Sequence, residues 1–226
     1  MIQEIFIGKN GDRNRCTLSK TISFDNLTDL FMKGIIIYKG KYGATRQYAE
    51  WLSGELNLPV AVSDDISREK LDNYDFLVLG CSVYVGKMLL KAWLKKNIAA
   101  IHGKKLFFFL VSGTSSDKRE ILEGYLQANI PAEIRNRLEV YFLQGRVLMK
   151  NLSWFDRLIL KMGTALAKGE EAKKEMQLEY DEVKKENTFS LVNAVREFTY
   201  NTLMKYQSVE KEKPSYVKRM IESSID

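Results

Sequence analysis

The apolar run Gly34-Ile35-Ile36-Ile37-Tyr38 passes directly into Lys39-Gly40-Lys41-Tyr42-Gly43-Ala44-Thr45, and an amphipathic stretch follows at once. Three consecutive isoleucines read as a strand covered on both faces, because a strand with one wet face alternates apolar and polar residues. The glycines and lysines after it favour a turn over more strand. From residue 44 to 56 the apolar side chains Tyr48, Trp51, Leu52 and Leu56 recur at three- and four-residue steps, which places them on one helical stripe. A buried strand, a tight glycine loop and a helix make the first β-α unit.

The same alternation continues downstream. Strands are predicted at residues 59–62, 76–80 (FLVLG), 106–111 (LFFFLV) and 138–143, with helices at 67–71, 88–99 and 118–129 between them. Five strands joined by right-handed crossovers form an α/β three-layer sandwich around a five-stranded parallel sheet. A last helix, residues 189–204, packs on the sheet through Leu191, Val192, Val195, Phe198 and Leu203. The mixed-charge segment 168–186 reads as a solvated helix or linker.

Composition limits what this fold can do. The chain has 226 residues, 45% hydrophobic and 28% charged, with 3 prolines and 14 glycines, so a real core is expected and collagen-like or wholly disordered chains are excluded. No apolar run approaches the roughly 18 residues of a membrane span. The opening MIQEIFIGKNGDRNR has the wrong order of charge for a secretory signal, and a cytoplasmic location is expected. Residues 1–31 contain no β-α unit and are read as an N-terminal extension dispensable for the fold, with Met32 a natural start for the domain. The domain then spans 32–206, with an insertion at about 145–186 and a loose tail at 207–226.

Cys16 and Cys81 stand far apart and His102 is the sole histidine, so no Cys/His metal site or disulfide framework is expected, and His-assisted nucleophilic catalysis is disfavoured. An enzyme built on this chain needs a cofactor to do the chemistry. Cys81 reads as a small packed residue rather than a redox thiol. The net charge is +6, and Lys87, Lys91, Lys95, Lys96, Lys104 and Lys105 follow one another without an intervening acid. That run suits an acidic partner, anionic lipid or a solvated helix face. No motif supports nucleic-acid binding.

A glycine loop between a buried strand and a helix presents backbone N–H groups and the positive end of the helix, which together hold phosphate. Neither the Walker pattern nor GxGxxG is present. With Gly43-Ala44-Thr45 at its end, this loop resembles the FMN phosphate loop of the flavodoxin-like family. Gly40 stands where that family usually has a hydroxyl, and Lys39 or Lys41 compensates by charge. Gly80-Cys81-Ser82-Val83-Tyr84-Val85-Gly86-Lys87 is similar to the family segment bordering the isoalloxazine ring, departing from it at Cys81 and Val83. A third loop, Ser112-Gly113-Thr114, reaches the same sheet edge. The resemblance implies strand order 2-1-3-4-5 and noncovalent FMN at the topological switch point. It puts Lys39, Gly40, Lys41, Tyr42, Gly43, Ala44 and Thr45 at the phosphate, and Ser82, Val83, Tyr84, Val85 and Gly86 with Ser112, Gly113 and Thr114 around the ring. No metal is implied, and no side chain is named as general acid or base.

Beyond the fifth strand, Asn151-Leu152-Ser153-Trp154-Phe155-Asp156-Arg157 and the Lys161-Met162 pair resemble the insertion of menaquinone-dependent protoporphyrinogen oxidases. That resemblance implies a protoporphyrinogen dehydrogenase of heme biosynthesis, with electrons passing through FMN to a quinone. A flavodoxin-type electron carrier, an FMN-dependent quinone or azo reductase and a flavin-free docking domain remain as alternatives. Within 150–168, Leu152, Phe155, Leu158, Ile159, Met162, Ala165 and Leu166 share one apolar face flanked by Lys150, Arg157, Lys161 and Lys168. Such a face suits peripheral contact with an anionic membrane, or packing on the sheet or in a homo-oligomer.

Overall fold

A computed structural model describes residues 32–148, 153–154, 156–158 and 179–212. The expected extension 1–31, most of the apolar insertion face, the charged segment up to 178 and the tail beyond 212 lie outside the described residues. In chain order the elements are β1 (Gly34–Lys39), α1 (Ala44–Leu56), β2 (Val60–Val62), α2 (Arg68–Leu71), β3 (Phe76–Tyr84), β4 (Lys87–Met88), α3 (Lys91–Lys96) and α4 (Ile98–Ile101). There follow β5 (Lys105–Ser112), α5 (Arg119–Asn129), α6 (Ala132–Arg135), β6 (Leu138–Gln144), β7 (Arg146–Val147), β8 (Tyr180–Asp181) and α7 (Phe189–Glu212).

The main sheet runs β2-β1-β3-β5-β6, all parallel, which is the doubly wound order expected from the sequence. Alternate residues of each strand enter opposite layers, and both layers are apolar. On one face Ile35, Ile37, Leu77, Leu79, Leu106, Phe108 and Leu110 meet Trp93, Leu94, Ile101, Leu126, Ile130 and Ile134 from α3 to α6 and the segment between them. On the other, Ile36, Phe76, Val78, Phe107, Phe109 and Val111 meet Tyr48 and Leu52 of α1 and Leu191, Val192 and Val195 of α7. Two buried faces explain the unbroken apolar runs.

Three boundaries differ from the sequence reading. Strand β3 does not stop at Gly80: it continues to Tyr84, because its pairing with β5 extends to Ser82↔Val111 and its last residues pair antiparallel with β4. Ser82, Val83 and Tyr84 are therefore strand residues, and the sheet gains a short sixth strand. The helix expected over 88–99 is divided for the same reason. Met88 belongs to β4, held by its N–H to Asn129 Oδ1 at 3.3 Å, and the helical stretch breaks at Asn97, whose side chain caps Trp93 O at 2.9 Å. The helical period of the apolar residues hid the hairpin. Finally, β7 and β8 form a separate antiparallel pair across the insertion.

Gly80 has a packing role, since the Phe109 ring of β5 occupies the place of a side chain there. Gly80→Ala is expected to lower stability by about 1–3 kcal/mol through overpacking. Gly54→Ala, in α1 where a Cβ meets nothing within 4 Å, should instead raise it by about 0.5–1 kcal/mol. Denaturant midpoints at unchanged slope check both.

Candidate functional site

Polar chemistry in this fold collects where β1, β3, β5 and β6 end. A cavity of about 380 Å³ opens there, within the usual size of a cofactor site. From the β1–α1 loop it is lined by Lys41, Tyr42, Ala44 and Thr45, from the β3 end by Ser82, Val83, Tyr84 and Val85, and from the β5 end by Val111, Ser112 and Gly113. Lys39, Gly40, Gly43, Gly86 and Thr114, expected at the site, do not line it, although Gly40, Gly43 and Gly86 shape the loops that do.

The β1–α1 loop is built around two glycines. Gly43 is the N-cap of α1 at φ 84°, ψ −17°, a left-handed conformation that favours glycine, and it supplies no side-chain cap. The first intrahelical bond is Gln47 N–H to Gly43 O at 2.9 Å, so the amides of Ala44, Thr45 and Arg46 precede it. A Cβ at Gly40 would lie 2.7 Å from Thr45 Oγ1. Glycine therefore stands there because the threonine fills the space. Thr45 is 1% exposed, and its Oγ1 has no hydrogen-bond partner; neither has the buried Ser82 Oγ across the cavity. An unpaired buried hydroxyl costs about 1–3 kcal/mol, which a polar ligand recovers.

A second wall of the cavity is the β3–β4 hairpin. Its turn is Val85-Gly86 at φ 48° and 70°, and Val85 is 59% exposed at the cavity edge. A β-branched residue in the left-handed region costs of order 1–3 kcal/mol, so the surrounding structure must hold it. Asn129 does so: its side chain donates to Gly86 O at 3.0 Å and accepts from Met88 N–H. From β5, Ser112 Oγ donates to Thr114 O at 3.2 Å, and Tyr180 of β8 lies against Gly113, where a side chain would collide with its hydroxyl. Cys81, behind this wall, is fully buried, and burial pushes its thiol up to about 12, as suits a packed residue.

Sequence reasoning missed five lining residues contributed after β6: Gly145, Arg146, Val147, Asp156 and Tyr180. Arg146 donates to Gln47 Oε1 and pairs with Asp181 at 3.5 Å, tying β7 to α1 and β8. Asp156 is 5% exposed. Lys41 Nζ lies 2.8 Å from its Oδ1, the hydroxyls of Tyr42 and Tyr84 donate to it, and Ser153 Oγ donates at 2.6 Å. Lys41 also stands 3.7 Å above the centroid of the Tyr84 ring, a cation–π contact. Lys39, the other lysine expected to offset phosphate charge, pairs instead with Asp64 at 2.8 Å, away from the cavity lining. The W-F-D-R segment was the available signal for Asp156, but its spacing gives no partner.

Burial alone would raise the Asp156 carboxyl, yet Lys41 and the hydroxyls of Ser153, Tyr42 and Tyr84 hold it well below the ordinary carboxylate range. Lys41 is raised despite its own desolvation, mainly by Asp156. Tyr42 is pushed up to about 12 by burial and then by the carboxylate that accepts its proton. A lowered carboxyl stabilises the fold above its unfolded value near ~4 and loses that contribution only as pH falls through the lower folded value. A raised phenol works in reverse: its contribution is complete below ~10 and is lost as pH rises through the folded value. Tyr48, Tyr141 and Tyr180 are raised as well, chiefly by burial, so phenolate absorbance should show several late-titrating tyrosines, of which Asp156→Asn should bring one, Tyr42, part of the way down. A titration unchanged by Asp156→Asn would contradict the contact.

The family model described as a flavodoxin domain matches residues 35–174. An uncharacterized protein of Methanocaldococcus jannaschii is 25% identical over 114 residues, 48% of this chain and 67% of its own length. Among solved structures, a flavodoxin from the domain Archaea is 19% identical at TM-score 0.38, covering 65% of this chain and all of its own. A flavodoxin, WrbA-like protein from Agrobacterium tumefaciens is 14% identical at TM-score 0.42, covering 74% of this chain and 98% of its own. Rubredoxin oxygen:oxidoreductase from the anaerobe Desulfovibrio gigas is 12% identical at TM-score 0.38, covering 70% of this chain and 37% of its own.

Proposed function

Because the chain belongs to the flavodoxin domain family, we propose that it binds FMN in this cavity and works as an FMN-dependent oxidoreductase. The observation that carries the cofactor is the pair of buried, unpartnered hydroxyls, Thr45 Oγ1 and Ser82 Oγ, in a cavity whose glycine loop opens a helix N-terminus. Thr45 and the amides of Ala44 to Arg46 hold the phosphate; Ser82 to Val85 with Ser112 and Gly113 border the ring. Bound flavin supplies the electron chemistry, taking and returning one or two electrons. The protein's share is to orient the ring, exclude water with the Tyr84 and Val85 wall, and set the charge around it through Lys41 and Asp156.

The substrate assigned is protoporphyrinogen and the acceptor a quinone. Support comes from the Trp154-Phe155-Asp156-Arg157 insertion and from its Asp156 standing in the cavity wall. An electron carrier of the flavodoxin type is the second reading. It is favoured by the state of Asp156, the one carboxylate among the described lining residues, which is already held by Lys41 and by the hydroxyls of Tyr42, Tyr84 and Ser153 and so is not free to act as a base. Among the described residues no helix is long and apolar enough to cross a membrane.

Flavin absorbance retained through gel filtration tests cofactor binding, and Thr45→Ala should weaken FMN by about tenfold or more, the loss of one hydrogen bond to a charged group. Equal affinity in both proteins would remove the phosphate assignment. Anaerobic mixing with protoporphyrinogen, then with a menaquinone analogue, should reduce and reoxidise the flavin. Flavin that a one-electron donor reduces but protoporphyrinogen leaves oxidised would select the carrier.

A further inference from the structure

Asp156 is the one carboxylate among the buried described residues, and three of its four donors come from outside its own segment. Its Oδ1 accepts from Lys41 Nζ and the Tyr84 hydroxyl; its Oδ2 accepts from the Tyr42 and Ser153 hydroxyls. The donors are also held to one another, since the Lys41 ammonium rests on the faces of both tyrosines, 3.7 and 5.3 Å from the ring centroids. Lys41, Tyr42 and Tyr84 thus make a fork for a planar two-oxygen anion, and residue 156 fills it from 115 positions away in the chain. We propose that this fork is an anion subsite, separate from the cradle at Thr45, that receives a carboxylate of the molecule exchanging electrons with the flavin. Asp156 is its internal occupant when that molecule is absent.

The chemistry of exchange is balanced. One carboxylate replaces another, so the charge facing Lys41 is unchanged, and the three donors keep an acceptor throughout. Asp156 leaves with a partner of its own, because Ser153 Oγ donates to its carboxylate and accepts from its N–H at 3.1 Å, an N-cap contact that needs nothing from the fork. A carboxylate is the fitting occupant because it reproduces the two-oxygen geometry already in place, whereas the tetrahedral phosphate matches the backbone amides near Thr45. The identity of the visitor as a redox substrate rests on the flavin reading; the subsite itself does not.

Chemical rescue tests it on the flavin-free protein. Asp156→Ala should lower the melting temperature, and acetate should restore it saturably, at about tenfold lower concentration than any effect on wild type. Chloride at equal ionic strength should not, and a Lys41→Met, Asp156→Ala double variant should not respond to acetate. Should the alanine variant fail to fold, Asp156→Asn serves, with acetate raising the Tyr42 titration again. Acetate no better than chloride would overturn the proposal. So would a response that FMN abolishes and riboflavin leaves intact, since the fork would then belong to the cofactor's phosphate. If neither flavin binds, the proposed function falls while the acetate response still decides the subsite.

Discussion

A parallel sheet buried on both faces has no room for polar chemistry except at its strand ends. Every isoleucine and phenylalanine of β1, β3 and β5 is committed to one layer or the other. Burying an unpaired polar group among them would cost several kcal/mol, so hydroxyls, amides and charges are driven to the carboxyl edge. Strand order then matters, because the chain leaves β1 toward β2 on one side and β3 toward β5 on the other, so the loops after β1 and β3 part and open a crevice at the strand ends. The cavity is a consequence of that constraint.

Within the crevice, small residues work by making room for particular neighbours. Gly40 yields to Thr45, Gly113 yields to Tyr180, and Gly43 turns the backbone into α1. Val85 breaks this pattern, being β-branched where glycine is preferred, and its place depends on Asn129 binding both sides of the hairpin. Strain of that kind survives only where the surroundings fix it, and here it sets the edge of the cavity.

Charge at the site is neutralised locally. Lys41 would face the cavity as a free cation were it not for Asp156, and Lys39 is drawn off by Asp64. In the proposed FMN site, the β1–α1 loop is left to act through its backbone dipoles and Thr45, in keeping with the helix-terminus mode of anion binding. The insertion therefore does more than decorate the domain, since its carboxylate joins the β1 and β3 loops into one wall.

Much of this was legible in the chain itself. Local period separates strand from helix, unbroken apolar runs announce two-sided burial, and glycines between them mark the loops, since each of these signals depends on a few adjacent residues. The residues 40–45 and 82–86 stood out for that reason. The extension of β3 to Tyr84 did not, because strand length is set by pairing partners on β4 and β5, and the apolar spacing from Met88 onward fits a helix equally well. Nor could the partners of Lys39 and Lys41 be read: they stand two residues apart at the end of β1 and the start of its loop, yet one reaches an aspartate 25 residues on and the other an aspartate 115 residues on. Ion pairing acts over a few ångströms of space whatever the distance along the chain, so the elements and their order belong to the sequence, while the electrostatics of the site was decided only when the fold brought Asp156 to Lys41.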